Sequence, residues 1–151
     1  MKKIVMTMLL MSVMLIGFSQ QRQQPMSKYV VSQDLIQKLS YEQVEQMRSE
    51  NPAELIRMNY CLINTAVVTS KLWDGNIMQM GTLEQYLPQG VSYVEEDIIQ
   101  KGYVDPYVWN LPQDDYRYTA FKLRRNGWYV VVLPKTVLEQ RVQAQLNSYS
   151  Y

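Results

Sequence analysis

Apolar residues recur at helical spacing in the first half of the chain, then shift to alternating and continuous β-type runs. Leu35, Ile36 and Leu39 share one face of a short helix that Ser32 is placed to cap. Ser40-Tyr41-Glu42-Gln43 has the capping-box pattern and opens a second helical stretch with Val44 and Met47 inward. Asn51-Pro52-Ala53-Glu54 is the clearest start signal. Asn caps, Pro takes the first helical position where its missing N–H is harmless, and Glu reaches back from the third. Leu55, Met58 and Leu62, with Ile56 and Ile63, then follow helical spacing, which predicts a helix over 52–63.

From Thr65 the period changes. Residues 66–69 read as a short β-branched strand, Trp73-Asp74-Gly75-Asn76 as a turn, and 77–80 as the returning strand. Residues 91–94 read as a further strand after the turn at Leu87-Pro88-Gln89-Gly90. Residues 95–100 read as one helical turn ending at Gly102, and Asp105-Pro106 and Leu111-Pro112 bracket an irregular connection. Tyr116, Tyr118, Ala120 and Lys122 alternate with Arg117, Thr119, Phe121 and Leu123, and a continuous run from Trp128 to Leu133 follows Asn126-Gly127. That pattern predicts a β-hairpin with a type I′ or related turn. Pro134 stops the strand. Thr136-Val137-Leu138-Glu139 repeats the capping-box pattern, and Leu138, Val142 and Leu146 form the stripe of a helix over 137–146.

Segregated helices and hairpin-linked strands indicate an α+β fold: a small mostly antiparallel sheet with a C-terminal β-hairpin, packed against an N-terminal helical segment and a C-terminal helix. The Pro52 helix and the C-terminal helix are the expected cover of one sheet face. Residues 28–151 read as one domain, after a Gln-rich disordered leader over 20–27.

The first 19 residues have the three parts of a secretory signal. Lys2 and Lys3 form the basic start, 4–18 is nearly all apolar, and Gly17 and Ser19 sit at −3 and −1 of a cut before Gln20. A membrane anchor needs about 20 apolar residues, longer than this run. The expectation is an exported protein that is periplasmic, outer-membrane-associated or secreted, with no transmembrane span after signal cleavage.

Composition narrows the chemistry. The absence of His removes Ser-His-Asp and Cys-His nucleophiles and His-ligated metals. The single Cys removes Cys clusters and an internal disulfide; in Asn59-Tyr60-Cys61-Leu62-Ile63 it reads as a small buried hydrophobe. Without the signal at 1–19, 13 cations face 14 anions, a net of −1, which gives no sign of a nucleic-acid partner. No Gly-rich phosphate loop, Gly-x-Ser-x-Gly, Ser-x-x-Lys or His-Glu-x-x-His is present, so no cofactor or metal is implied.

What stands out is Tyr, with 12 copies, and a run of ten aromatic residues between Tyr86 and Tyr129. The strand propensity of Tyr accounts for many of these as sheet core and cross-strand pairs. It accounts least for the irregular stretch from Tyr103 to Tyr116. There Tyr103, Tyr107, Trp109 and Tyr116, with Asp114, form the candidate binding set, since Tyr and Trp pair flat apolar faces with a hydrogen-bonding edge. Glu95-Glu96-Asp97 and Asp114-Asp115 supply carboxylates for acid–base cleavage of a glycan only if folding places them at the required separation. Otherwise they are a solvated face or a favourable helix start. Lys122, Arg124 and Arg125 at the hairpin tip read mainly as solubilising charge.

Gly17-Phe18-Ser19 before Gln20, the segment from Asn51-Pro52-Ala53-Glu54-Leu55 to Asn59-Tyr60, and the aromatic hairpin followed by a short helix resemble small uncharacterised exported proteins of the Bacteroidetes. The resemblance implies a cell-envelope or secreted setting and assigns no functional residue. Together these readings lead to the expectation of a non-enzymatic exported cell-envelope accessory protein. It would bind an envelope protein partner through an aromatic-rich surface. The alternative is a glycan- or peptidoglycan-binding module or a small carboxylate-dependent glycan hydrolase using Trp109 with Asp105, Asp114 or Asp115.

Overall fold

A computed structural model describes residues 23–73 and 75–150, so the signal at 1–19, the leader residues 20–22, Asp74 of the first turn and Tyr151 lie outside the described residues. Among the described residues the fold is α+β, with five helices and two sheets. In chain order the elements are β1 (Gln24–Pro25), α1 (Gln33–Leu39), α2 (Tyr41–Glu50), α3 (Pro52–Asn64), β2 (Ala66–Thr69), β3 (Ile77–Thr82), α4 (Glu95–Lys101), β4 (Tyr118–Lys122), β5 (Tyr129–Val132), α5 (Lys135–Asn147) and β6 (Tyr149–Ser150). Short 3₁₀ turns occupy Met26–Lys28 and Leu83–Tyr86. Among the described residues no helix is long and apolar enough to cross a membrane.

The helix starts follow the local signals. The side chains of Ser32, Ser40 and Asn51 accept the N–H groups of Leu35, Gln43 and Glu54, each satisfying a donor that the first turn leaves free. Gly102, at φ 85°, closes α4 in the left-handed conformation that glycine adopts without strain. The capping box at Thr136 does not form. The α5 helix starts earlier, at Lys135 after Pro134, and the Thr136 hydroxyl donates instead to the Asp115 carbonyl at 2.8 Å.

The hairpin of β4 and β5 is antiparallel, with Lys122 opposite Tyr129 and Ala120 opposite Val131. Its connection differs from a two-residue type I′ turn. Leu123 N–H donates to Trp128 O at 2.7 Å across four residues, and only Gly127 among them has positive φ, at 64°. A four-residue loop leaves the positive φ to one glycine.

The other strand pairings depart further from the sequence pattern. The four-stranded sheet has the order β2-β5-β4-β3 and is mixed. Instead of returning beside β2, β3 lies at the far edge, parallel to β4, with Ile77 opposite Tyr118. Parallel neighbours require a crossover. The crossover here is the 83–117 connection, which carries α4 and no strand at 91–94.

That crossover covers one sheet face. Phe121, Leu123, Val130, Val132 and Ala66 pack with Leu83, Ile98, Val104 and Trp109 in one core cluster. A second cluster holds Leu35, Val44, Leu55, Ile56 and Leu62 of α1–α3, with Leu146 and Tyr149 against it. The N-terminal helices and the end of α5 therefore build their own core, while the irregular connection supplies the cover over Phe121. On the opposite face Ala120 and Val131 are also buried.

Residues 23–27 are part of this architecture. Met26 is 3% exposed within the helical cluster, and β1 pairs in parallel with β6. Among the described residues the packing therefore includes Gln24–Met26, within the stretch expected as a leader.

Candidate functional site

The stretch from Tyr103 to Tyr116 is built by turns, and its carboxylates hold those turns. Asp105-Pro106 starts the first. The Asp105 side chain accepts Tyr107 N–H at 2.8 Å, while its carbonyl accepts Val108 and Trp109 N–H at 3.2 and 3.0 Å. An Asp followed by Pro suits that geometry because both favour the first positions of a turn. Asp114 repeats the device, with one oxygen accepting Tyr116 N–H at 2.8 Å and Arg117 N–H at 2.7 Å. These donors hold the Asp114 carboxyl below its ordinary range, the Tyr116 N–H contributing most. The neighbouring carbonyls of Asp114 and Asp115 accept Lys135 and Thr136 N–H, tying the connection to the start of α5.

The aromatic residues separate into interior and surface. Trp109 is 6% exposed and meets Tyr93 edge-on at 5.1 Å within the sheet core. Tyr103 is half-buried. Its hydroxyl donates to Asp34 Oδ2, and its backbone bridges Val67 of β2. Tyr107 is 57% exposed, Val108 beside it is exposed, and Tyr116 is exposed further along. Burial raises the Tyr107 phenol above its ordinary pKa, helped by the Cys61 thiol and the carboxylates of Asp105 and Glu54. Of the five sequence candidates, Tyr103 and Tyr107 share one charged framework, Trp109 lies beneath the surface, and Asp114 and Tyr116 belong to the loop that docks on α5.

The framework around Tyr103 and Tyr107 includes four residues outside the candidate set. Asp34 and Lys38 of α1 face Lys101 and Asp105 with charges reversed: Lys101–Asp34 spans 2.6 Å and Lys38–Asp105 spans 2.8 Å. Each lysine also stands over an aromatic ring, Lys101 at 4.9 Å from the centre of Tyr103 and Lys38 at 5.7 Å from that of Tyr107. Hydrogen bonds from Lys101 and Tyr103 lower the Asp34 pKa; burial, then that same hydrogen bond, raises that of Tyr103. The signal in the sequence was the matched spacing, four residues within each pair, but nothing local joins the two pairs.

Elsewhere, Glu95 is 7% exposed and its carboxylate accepts Arg124 N–H at 2.7 Å, Arg125 N–H at 3.0 Å and Asn126 Nδ2–H at 3.0 Å. It ties the hairpin loop to α4. A cavity of about 280 Å³ opens beside it, lined by Glu84, Tyr93, Glu96, Arg124 and Arg125 among others. Within it Arg124 Nη1 donates to Glu84 at 2.7 Å. Cys61 is half-buried, with its thiol pKa raised chiefly by that burial, which disfavours the reactive thiolate.

Chemically, the acids of this region are occupied as acceptors of internal donors, and the outward surface is aromatic and aliphatic. No protein-family model, curated protein or solved structure matches the chain.

Proposed function

We propose that this is a non-enzymatic accessory protein of the cell envelope that binds another protein through the turn bearing Tyr107 and Val108. The observation carrying this reading is the division of the aromatic stretch. Tyr107 and Val108 are exposed on a turn braced by Asp105 and Lys38. A braced aromatic loses little freedom on binding and supplies a large contact area, as interface anchors do.

The catalytic alternative draws less support. Asp105, Asp114 and Glu95 already accept two or more internal hydrogen bonds or ion pairs each, so their oxygens hold turns and the hairpin loop together rather than face a substrate. A sugar-stacking reading centred on Trp109 would need that ring at the surface, where Tyr107 stands instead.

The test is affinity purification of the tagged, exported protein from its native envelope, beside a Tyr107→Ala/Val108→Ser variant. A stoichiometric protein partner retained by the parent and lost from the equally folded variant is the expected result. A folded parent that retains no such partner, or a variant that retains it undiminished, overturns the proposal.

A further inference from the structure

Asn126 is the side chain through which the hairpin loop reaches α4. Its Nδ2 donates to Glu95 Oε2 at 3.0 Å, beside the Arg124 and Arg125 N–H groups that the same carboxylate accepts. Glu95 is 7% exposed, so these donors replace water around its charge. Asn126 and the Gly127 that follows it are exposed. The pair also differs from every other asparagine in the chain. An asparagine amide can be attacked at Cγ by the backbone nitrogen of the next residue, so the state of that nitrogen decides. Asn51 precedes Pro52, which has no N–H. Asn59 precedes a residue inside α3, where the N–H is bonded in the helix. After Asn64, Asn76, Asn110 and Asn147, the N–H groups of Thr65, Ile77, Leu111 and Ser148 donate to Cys61, Gly75, Trp109 and Gln145 carbonyls. Gly127 N–H makes no hydrogen bond among the described residues. Gly127 also has no side chain to crowd the attack, and nothing lies within 4 Å of where a Cβ would stand.

We propose that Asn126 is a site of spontaneous deamidation, and that the change unfastens the hairpin loop from Glu95. Gly127 N gives its proton to solvent and bonds to Asn126 Cγ. The Cγ–Nδ2 bond breaks, Nδ2 takes a proton from solvent and leaves as ammonia, and a succinimide ring joins side chain and backbone. Water then opens the ring. Addition at Cγ gives aspartate on the original backbone. Addition at the Asn126 backbone carbonyl carbon gives isoaspartate, with the chain now running through the side chain. The sum is one water consumed and one ammonia released, with nothing oxidised or reduced. Either product carries a carboxylate in place of the amide. The donor that met Glu95 Oε2 at 3.0 Å and Glu96 Oε1 at 3.5 Å becomes an anion facing two anions, one of them buried. Like charges that close repel, and more strongly where water is excluded.

The experiment holds the folded, exported protein in mildly alkaline buffer and follows its peptides by mass spectrometry. The peptide carrying Asn126 should gain about 1 Da and separate into aspartate and isoaspartate forms, while peptides carrying the other asparagines stay unchanged over the same period. Asn126→Gln, which would have to close a larger ring, should stay unmodified at that position. Hydrogen exchange then reads the consequence on the separated modified protein and on an Asn126→Asp variant, each shown by circular dichroism to be folded. In both, the Arg124 and Arg125 amides that Glu95 accepts should exchange about tenfold faster than in the parent. An Asn126 that survives as long as Asn76 and Asn110 overturns the proposal. So do modified and Asn126→Asp proteins whose Arg124 and Arg125 amides exchange no faster than the parent's.

Discussion

Asp34 and Lys101 lie 2.6 Å apart across two regions that the chain separates widely, and Lys38 and Asp105 repeat the contact with charges exchanged. Together with the Tyr103 hydroxyl on Asp34, this double pair joins the helical cluster to the crossover that covers the sheet. The proposed binding turn at Tyr107 rests on it, because Asp105 holds both Lys38 and the Tyr107 N–H.

That joint predicts a pH dependence. Asp34 has a folded-state pKa below its unfolded value, so its contribution is present above the unfolded carboxylate value of about 4 and is lost as pH falls through the lower folded value. Tyr103 is raised, so its contribution is present below the unfolded phenol value of about 10 and is lost as pH rises through the folded value. Asp34→Asn should flatten the acid limb of a stability–pH profile from urea unfolding, and Tyr103→Phe the alkaline limb. At neutral pH each should lower stability by about 1 kcal/mol, as exposed pairs and single hydrogen bonds do. An unchanged acid limb in Asp34→Asn would show that the pair carries no linkage.

Glu95 predicts a contrast with its neighbour. Its carboxylate serves two backbone N–H groups and one amide in the hairpin loop. Glu95→Gln turns an acceptor into a partial donor toward those groups and should lower unfolding stability by about 2 kcal/mol. Glu96→Gln, at an exposed position, should stay within about 0.5 kcal/mol. Equal effects from the two would remove the claim that Glu95 ties the loop down.

Trp109 and Tyr107 should separate folding from binding. Trp109→Ala deletes a buried ring packed on Tyr93 and should destabilise by about 3–5 kcal/mol. Tyr107→Ala, at the surface, should leave the unfolding midpoint nearly unchanged while reducing partner recovery. Denaturant titration of both variants beside the affinity purification makes the comparison.

Asn59 gives a test of the helical cluster. Its side chain is buried, accepting Ser32 N–H at 2.9 Å and the Ser32 hydroxyl at 2.7 Å, and donating to the Tyr29 hydroxyl at 2.8 Å. Asn59→Ala leaves those groups without their partner and should cost about 2–3 kcal/mol, read by urea unfolding. A Tyr29→Phe/Asn59→Ala double variant should lose less than the sum of the two single changes, since they share a bond.

Taken alone, the sequence determined what a few neighbouring residues can settle. Ser32, Ser40 and Asn51 cap the helices they precede, Gly102 ends α4, and the alternation through Phe121 pairs β4 with β5. Each of these depends on hydrogen bonds or side-chain periods spanning a few residues. The tertiary structure alone decided that β3 runs parallel at the far edge, that the 83–117 crossover with α4 rather than α3 and α5 covers Phe121, and that Trp109 is interior while Tyr107 is not. A period of two marks which residues of a strand share a face and leaves its partner unspecified, since any strand offering apolar side chains satisfies it. Nor does an aromatic stretch between prolines say which ring turns inward. That choice falls to the packing of Trp109 with Tyr93 and Phe121 in the sheet core, contacts between residues far apart in the chain that no local pattern specifies.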